Sequence, residues 1–282
     1  MKINVEKIKF QIETAWNANE ENYKNSCYNI QNTQDTVMYV IKKMDEGCIR
    51  VSYFSEGKWK VNEWVKKAIL MFFSMREINV IEVGPLEFYD KIPIKNKFKE
   101  KGVRVVPPAV ARYGSFISPG VTLMPSYVNI GAYIGKDTMI DTWATVGSCA
   151  QVGNRVHISG GVGIGGVLEP IQSNPVIIED DVFIGSRCIL VEGVLIEKEA
   201  VLGANVVLTS STKIFDVTRE DRAIEMKGFI PKSSVVIPGT YPKKFPSGIY
   251  HVPCALIIGK RKDSTNKKTS LNEVLRQHRL SF

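Results

Sequence analysis

From Val110 to Glu169 the chain divides into ten consecutive hexads, and every hexad except the one at Thr122 opens on an apolar residue: Val110, Phe116, Val128, Ile134, Ile140, Val146, Val152, Ile158 and Ile164. The fifth place of these hexads holds small or modest residues, among them Gly114, Gly120, Ser126, Ala132, Thr138, Ala144 and Ala150. After residues 170–177 the phase resumes at Ile178, Ile184, Leu190, Ile196, Leu202 and Leu208. A six-residue period matches neither the 3.6 of a helix nor the 2.0 of a lone strand. It predicts a parallel β-helix in which each hexad is one rung and three rungs close a triangular coil. On this reading the opening aliphatic points into the prism and the fifth place turns a corner. Glycines at the second place (Gly135, Gly147, Gly153, Gly165, Gly185, Gly203) are expected to adopt positive φ. Sixteen rungs give roughly five coils and about 25 Å of axial length at the sheet spacing.

The rest of the chain reads as flanks. Residues 1–103 form a mainly helical unit, 104–233 the β-helix with loop excursions, and 234–282 a small C-terminal region of strands and helix ending in a basic tail. Helical spacing runs over 3–16 and over 33–44, the latter with Asn32 as its cap, and over 62–75. A short strand is expected at 49–54, a linker over 84–101 and short strands at 234–238 and 255–259. A final helix follows, with Ser270 and Glu273 at capping-box spacing. The spacing of 14 residues from Ile164 to Ile178 reads as two rungs plus a two-residue bulge, and residues 214–234 as a longer excursion.

Composition narrows the function classes. The net charge is +8, but the prism segment is acidic and the last 23 residues alone carry +5. With no aromatic or arginine-glycine interleaving in that tail, anionic small molecules are a better match than nucleic acid. Five scattered cysteines (Cys27, Cys48, Cys149, Cys188, Cys254) form no CxxC pair, which fits free thiols in a cytoplasmic protein. The longest apolar run, 68–73, is too short to span a membrane. Gly161, Gly163 and Gly166 match a dinucleotide fingerprint in spacing only, because VLEPIQSNP follows instead of a helix.

The segments VRVVPPAVARYGSFI (103–117), MIDTWATVGSCAQVGNRVHISGGVGIGGVLEP (139–170) and VEG (191–193) resemble the tetrahydrodipicolinate N-succinyltransferase family, most specifically in DTWATVGSCAQ (141–151). The resemblance implies a left-handed winding, which periodicity alone does not give. It also implies an acyltransferase of lysine and diaminopimelate biosynthesis. Such an enzyme moves a succinyl group from succinyl-CoA to the amino group of ring-opened tetrahydrodipicolinate, L-2-amino-6-oxopimelate. The family pattern further implies a homotrimer with sites between neighbouring prisms, no permanently bound cofactor and no metal. Arg104 and Asp141 match its substrate-binding arginine and aspartate, and Glu192 its second carboxylate; residues for coenzyme A do not emerge. The rival readings are an acetyl-CoA-dependent transferase on the same amino acid and a non-catalytic hexapeptide scaffold.

The chemistry of these residues is consistent with that pattern. Attack of an amine on a thioester needs a base for the ammonium proton and donors for the oxyanion. Asp141 and Glu192 qualify as carboxylates but equally as solvated corner acids; Arg104 suits a bidentate carboxylate clamp or a linker salt bridge. His157 is the rival base. Rung counting places Asp141 and Glu192 eight rungs apart on different faces, about 13 Å along the axis, so that they meet only across a subunit boundary.

Overall fold

The computed structural model of the protein describes residues 5–20 and 31–261. The expected final helix at 270–280 and most of the basic tail lie outside the described residues. The N-terminal unit holds three helices, α1 (Val5–Glu20), α2 (Gln31–Asp45) and α3 (Glu63–Met75), and the hairpin β1 (Ser52–Ser55) and β2 (Lys58–Val61). Helix α3 buries Trp64, Val65, Ala68, Ile69, Met71 and Phe72, the helical face that its sequence spacing predicts. Asn32 is not a cap: α2 has already begun at Gln31, and the Asn32 carbonyl accepts from Thr36 Oγ1 at 2.8 Å. The strand expected at 49–54 is one arm of the β1–β2 hairpin. The first part of the segment expected to be a linker, 84–90, belongs instead to a second hairpin, β3 (Asn79–Val83) and β4 (Leu86–Asp90), turning at Gly84 with φ +59°, while 91–101 is irregular.

The prism then winds as a left-handed parallel β-helix. Its two-residue rungs stack into three faces. Face I carries Arg104–Val105, Thr122–Leu123, Met139–Ile140, His157–Ile158, Phe183–Ile184 and Val201–Leu202. Face II carries Val110–Ala111, Tyr127–Val128, Thr145–Val146, Gly163–Ile164, Ile189–Leu190 and Val207–Leu208. Face III carries Phe116–Ile117, Tyr133–Ile134, Gln151–Val152, Ile177–Ile178, Leu195–Ile196 and Phe229–Ile230. The second residue of each rung enters one continuous core, where β-branched side chains lose little rotamer freedom.

Four details depart from the hexad reading. The inward residues of the first rungs are Ala111, Ile117 and Leu123, one place after the openers Val110, Phe116 and Thr122; Leu123 to Val128 is a five-residue step that restores the phase. Thr122 is therefore an outward residue, which explains its polarity. Positive φ falls at the fourth place, not the second: Asp137, Trp143, Cys149, Arg155, Gly161, Asp181, Arg187, Gly193, Glu199 and Asn205 all lie in the left-handed region. That conformation costs an L-residue about 1 kcal/mol or more. It lets the corner N–H donate to the coil beneath, as Trp143 does to Pro125 O at 2.6 Å and Arg155 to Lys136 O at 2.8 Å. The second-place glycines answer to close stacking: a Cβ on Gly147 would collide with the Gly166 backbone, and one on Gly135 with Gly153. Finally, the Ile164 to Ile178 step is a single rung with an eight-residue loop, since Gly163–Ile164 and Ile177–Ile178 are successive face II and face III strands.

The N-terminal unit packs on face III and on the corner between faces II and III. Ile130 and Cys149 of the prism belong to its core, and Lys66, fully buried, donates to Ser173 O of the eight-residue loop at 2.6 Å. Buried Lys95 joins the two units, donating to Asp45 Oδ1 at 2.5 Å and Ser115 O at 2.7 Å, while Asp45 Oδ1 also accepts from Gly114 N at 3.0 Å. At the far end the excursion contributes strands Ile214–Asp216 and Ile224–Met226. The expected pair of short C-terminal strands is one long hairpin, Ser234–Phe245 with Gly248–Lys260, which together with the two excursion strands extends the face I sheet to ten strands. Among the described residues no helix is long and apolar enough to cross a membrane.

Candidate active site

Asp141 stands at the corner between faces I and II, directly after the Met139–Ile140 rung. Its Oδ1 accepts from Thr142 N at 2.7 Å and Thr142 Oγ1 at 3.2 Å, which pins the carboxylate and leaves Oδ2 outside that pair. Gly160 lies beside it on the next coil; a Cβ there would sit 3.3 Å from Thr142 O and 4.0 Å from Asp141 Oδ2. No side chain therefore projects from position 160 toward the carboxylate. Within the SGGVGIGG run the other glycines serve packing, since Gly165 faces Val191 and Gly166 faces Ser148.

His157 is one strand above Met139 on face I, paired in register with it. Its ring stacks on Phe183 at 5.0 Å and 8°. Burial pushes its pKa below the ordinary 6.5, against the pull of the nearby Asp141 charge. An imidazole held neutral and flat against a phenyl ring is placed to pack beside Asp141. Arg104 is on the same face, two strands below Met139, hence about 10 Å along the axis. It lines an open depression of about 590 Å³ together with Thr122 and Asp137.

Glu192 is at a different corner, between faces II and III, after the Ile189–Leu190 rung. Its backbone is left-handed at φ +56°, and its Oε2 accepts from Ser210 Oγ at 2.6 Å and Ser210 N at 3.2 Å. Asp141 and Glu192 are seven rungs apart, because the loop spans one rung, and the axial offset is about 11 Å. The fold thus brings Arg104, Asp141 and His157 to one face and keeps Glu192 across face II from them.

Face II itself is unusual. The N-terminal unit covers face III at Phe116, Tyr133 and Gln151, whereas face II exposes Ile189 (37 %) and Val207 (48 %), and Trp143 at its Asp141 edge is 70 % exposed. Exposed large apolar groups in a row mark an interaction surface. Sequence reasoning also passed over Arg187, which turns the same corner two coils above Trp143 and lays its side chain over Gly161. The signal for it is its fourth-place position, legible only once the corner conformation is known.

Comparison with known proteins bears on the chain as a whole. A family profile described as tetrahydrodipicolinate N-succinyltransferase N-terminal matches residues 7–75, and one described as hexapeptide repeat of succinyl-transferase matches residues 175–210. The 2,3,4,5-tetrahydropyridine-2,6-dicarboxylate N-succinyltransferase of Acinetobacter baylyi is 51 % identical over 86 % of this chain and 89 % of its own length. The chain belongs to the tetrahydrodipicolinate N-succinyltransferase family. Another member, from Variovorax paradoxus, is 51 % identical over 86 % of this chain and 90 % of its own. A crystal structure of a Campylobacter jejuni protein assigned as a 2,3,4,5-tetrahydropyridine-2-carboxylate N-succinyltransferase shares the fold at a TM-score of 0.50 and 17 % identity, covering 79 % of this chain and 62 % of that one.

Proposed function

We propose that the protein transfers the succinyl group of succinyl-CoA to the amino group of L-2-amino-6-oxopimelate, with Asp141 of one subunit and Glu192 of its neighbour forming the site of a homotrimer. The activity rests on family membership at 51 % identity across most of both chains. The assignment of residues is supported by their placement. Asp141 is a pinned carboxylate with Gly160 beside it, suited to accept the ammonium proton of the substrate. The amine lone pair then attacks the thioester carbonyl, and the C–N bond forms as the carbonyl π electrons move to oxygen. Collapse of that oxyanion breaks the C–S bond, the proton held at Asp141 passes to the departing coenzyme A thiolate, and the second proton lost from the acylated nitrogen leaves through the freed carboxylate to solvent, giving the neutral amide. Arg104, on the same face, clamps a carboxylate of the diacid, and Glu192 orients the amine.

The trimer is supported by face II. With face II turned toward a three-fold axis, the Asp141 corner of one prism adjoins the Glu192 corner of the next, and Trp143, Ile189 and Val207 are covered. Free cysteines and the absence, among the described residues, of a membrane-crossing helix favour a cytoplasmic enzyme. The test is purified protein with the ring-opened substrate and each acyl-CoA, followed by release of free thiol. Succinyl-CoA supports turnover and acetyl-CoA far less; equal turnover with both overturns the donor assignment. Sedimentation equilibrium giving a monomer at micromolar concentration overturns the shared site.

A further inference from the structure

A second cavity, of about 270 Å³, lies between the β1–β2 hairpin and the corner of the prism between faces III and I, away from both Asp141 and Glu192. Its floor is set by Gln151, which is 1 % exposed. Gln151 Nε2 donates to the carbonyls of Cys149 (2.9 Å), Gly131 (3.3 Å) and Ala150 (3.3 Å), so the amide has one orientation and its Oε1 faces Arg50. Arg50 Nε donates to that oxygen at 3.1 Å, and the guanidinium lies 3.5 Å from the centroid of the Tyr133 ring. Among the described residues neither Nη atom makes a hydrogen bond, and Arg50 has no ion-pair partner. Burial pushes its pKa below the ordinary value. A half-buried guanidinium, locked through Nε and one ring face, presents a rigid and unanswered fork of N–H donors. A carboxylate ligand satisfies such a fork bidentately.

Two carboxylates of the lining carry the opposite charge. Glu179 is positioned by Trp59 Nε1 at 2.9 Å and Lys198 N at 3.0 Å, and Asp180 by Asn154 N at 2.8 Å and Asn154 Nδ2 at 3.1 Å. Asp180 Oδ2 also lies 3.8 Å from Arg155 Nη2, and each carboxylate retains acceptor capacity for an ammonium group. The Trp59 ring spans the distance between the two charges, 6.0 Å from Arg50 and hydrogen-bonded to Glu179. With Lys198 at the rim, the four charged residues of the lining sum to zero, which disfavours both a bare anion and a bare cation.

We propose that this cavity is a binding site for a free α-amino acid, its carboxylate on the Arg50 fork, its ammonium on Glu179 and Asp180, and its side chain along Trp59. Melting curves of the full-length protein with each of the twenty free amino acids, and with propionate and propylamine, test it. At least one amino acid raises Tm by about 3 °C at roughly ten times its Kd, and neither half-ligand does. Arg50→Met abolishes the shift. Arg50→Lys, which keeps the charge and the fold but loses the fork, weakens binding at least about tenfold. Asp141→Asn leaves the shift in place. The proposal is overturned if no amino acid shifts Tm, if the shift survives Arg50→Met, if propionate reproduces it, or if Asp141→Asn removes it, which locates the ligand in the acyl-acceptor site.

Discussion

Mixing two inactive subunits is the most exacting test of the shared site. Asp141→Asn keeps the side chain's size and its acceptor for Thr142 N but removes the base; a loss of at least about 100-fold in turnover follows. Glu192→Gln keeps the contact with Ser210 and loses less. Within one prism the two acids stand at opposite edges of face II, seven rungs and about 11 Å apart along the axis, and each is engaged by a different neighbour. In the proposed trimer a working site draws Asp141 from one chain and Glu192 from the next. In an equal mixture, half the chains carry an intact Asp141 and the other half an intact Glu192. Random assembly then gives about one quarter of sites with both acids wild type. The assay is thiol release from succinyl-CoA after the two variants are unfolded and refolded together, with mass spectrometry of tagged subunits to verify mixed trimers. About a quarter of wild-type turnover is expected, well above either variant alone. Mixed trimers no more active than the mean of the two parents would refute the argument and put both acids in one chain.

Gly147→Ala sets a Cβ against the Gly166 backbone, where no flexible side chain can yield, and should destabilise by about 1–3 kcal/mol in urea unfolding; an unchanged midpoint would show that the coils can separate at that point. Asp45→Ala strands the buried Lys95 ammonium and should cost about 3–5 kcal/mol, with Asp45→Ala/Lys95→Met recovering much of it. Burial pushes the Cys149 thiol up to about 12 and the Cys188 thiol up to about 11, so iodoacetamide at pH 8 should label exposed Cys48 in the native protein and spare those two, as peptide mass spectrometry will show. For His157 the folded pKa is below 6.5, so the unfolded chain takes up the proton first and stability falls as pH drops through 6.5. His157→Gln should flatten that acid-side loss of Tm, and an identical pH profile would mean that the imidazole is solvated.

What the amino-acid order determined is the part of the structure that each rung decides for itself. One inward aliphatic every six residues, a small fifth place and glycines where coils touch are local requirements, repeated often enough to reveal the β-helix. The helical spacing of α3 is legible for the same reason. The sequence also contains the polar Thr122, the outward mark of a five-residue step, but a strict period conceals the one-residue shift. Between Ile164 and Ile178, fourteen residues suit two rungs and a bulge as well as one rung and a loop; only the hydrogen bonds that make Ile177–Ile178 the partner of Gln151–Val152 decide between them. Left-handed corners at Trp143, Cys149 and Arg155 were equally hidden, because donation to the coil beneath, and not residue type, holds them there. Arg104, Asp141 and Glu192 could be named from the sequence, but which of them share a face depends on the modulo-three arithmetic of winding. Arg50 and Gln151 are 101 positions apart; their pairing, and the cavity it builds, exists only because the N-terminal unit docks on face III.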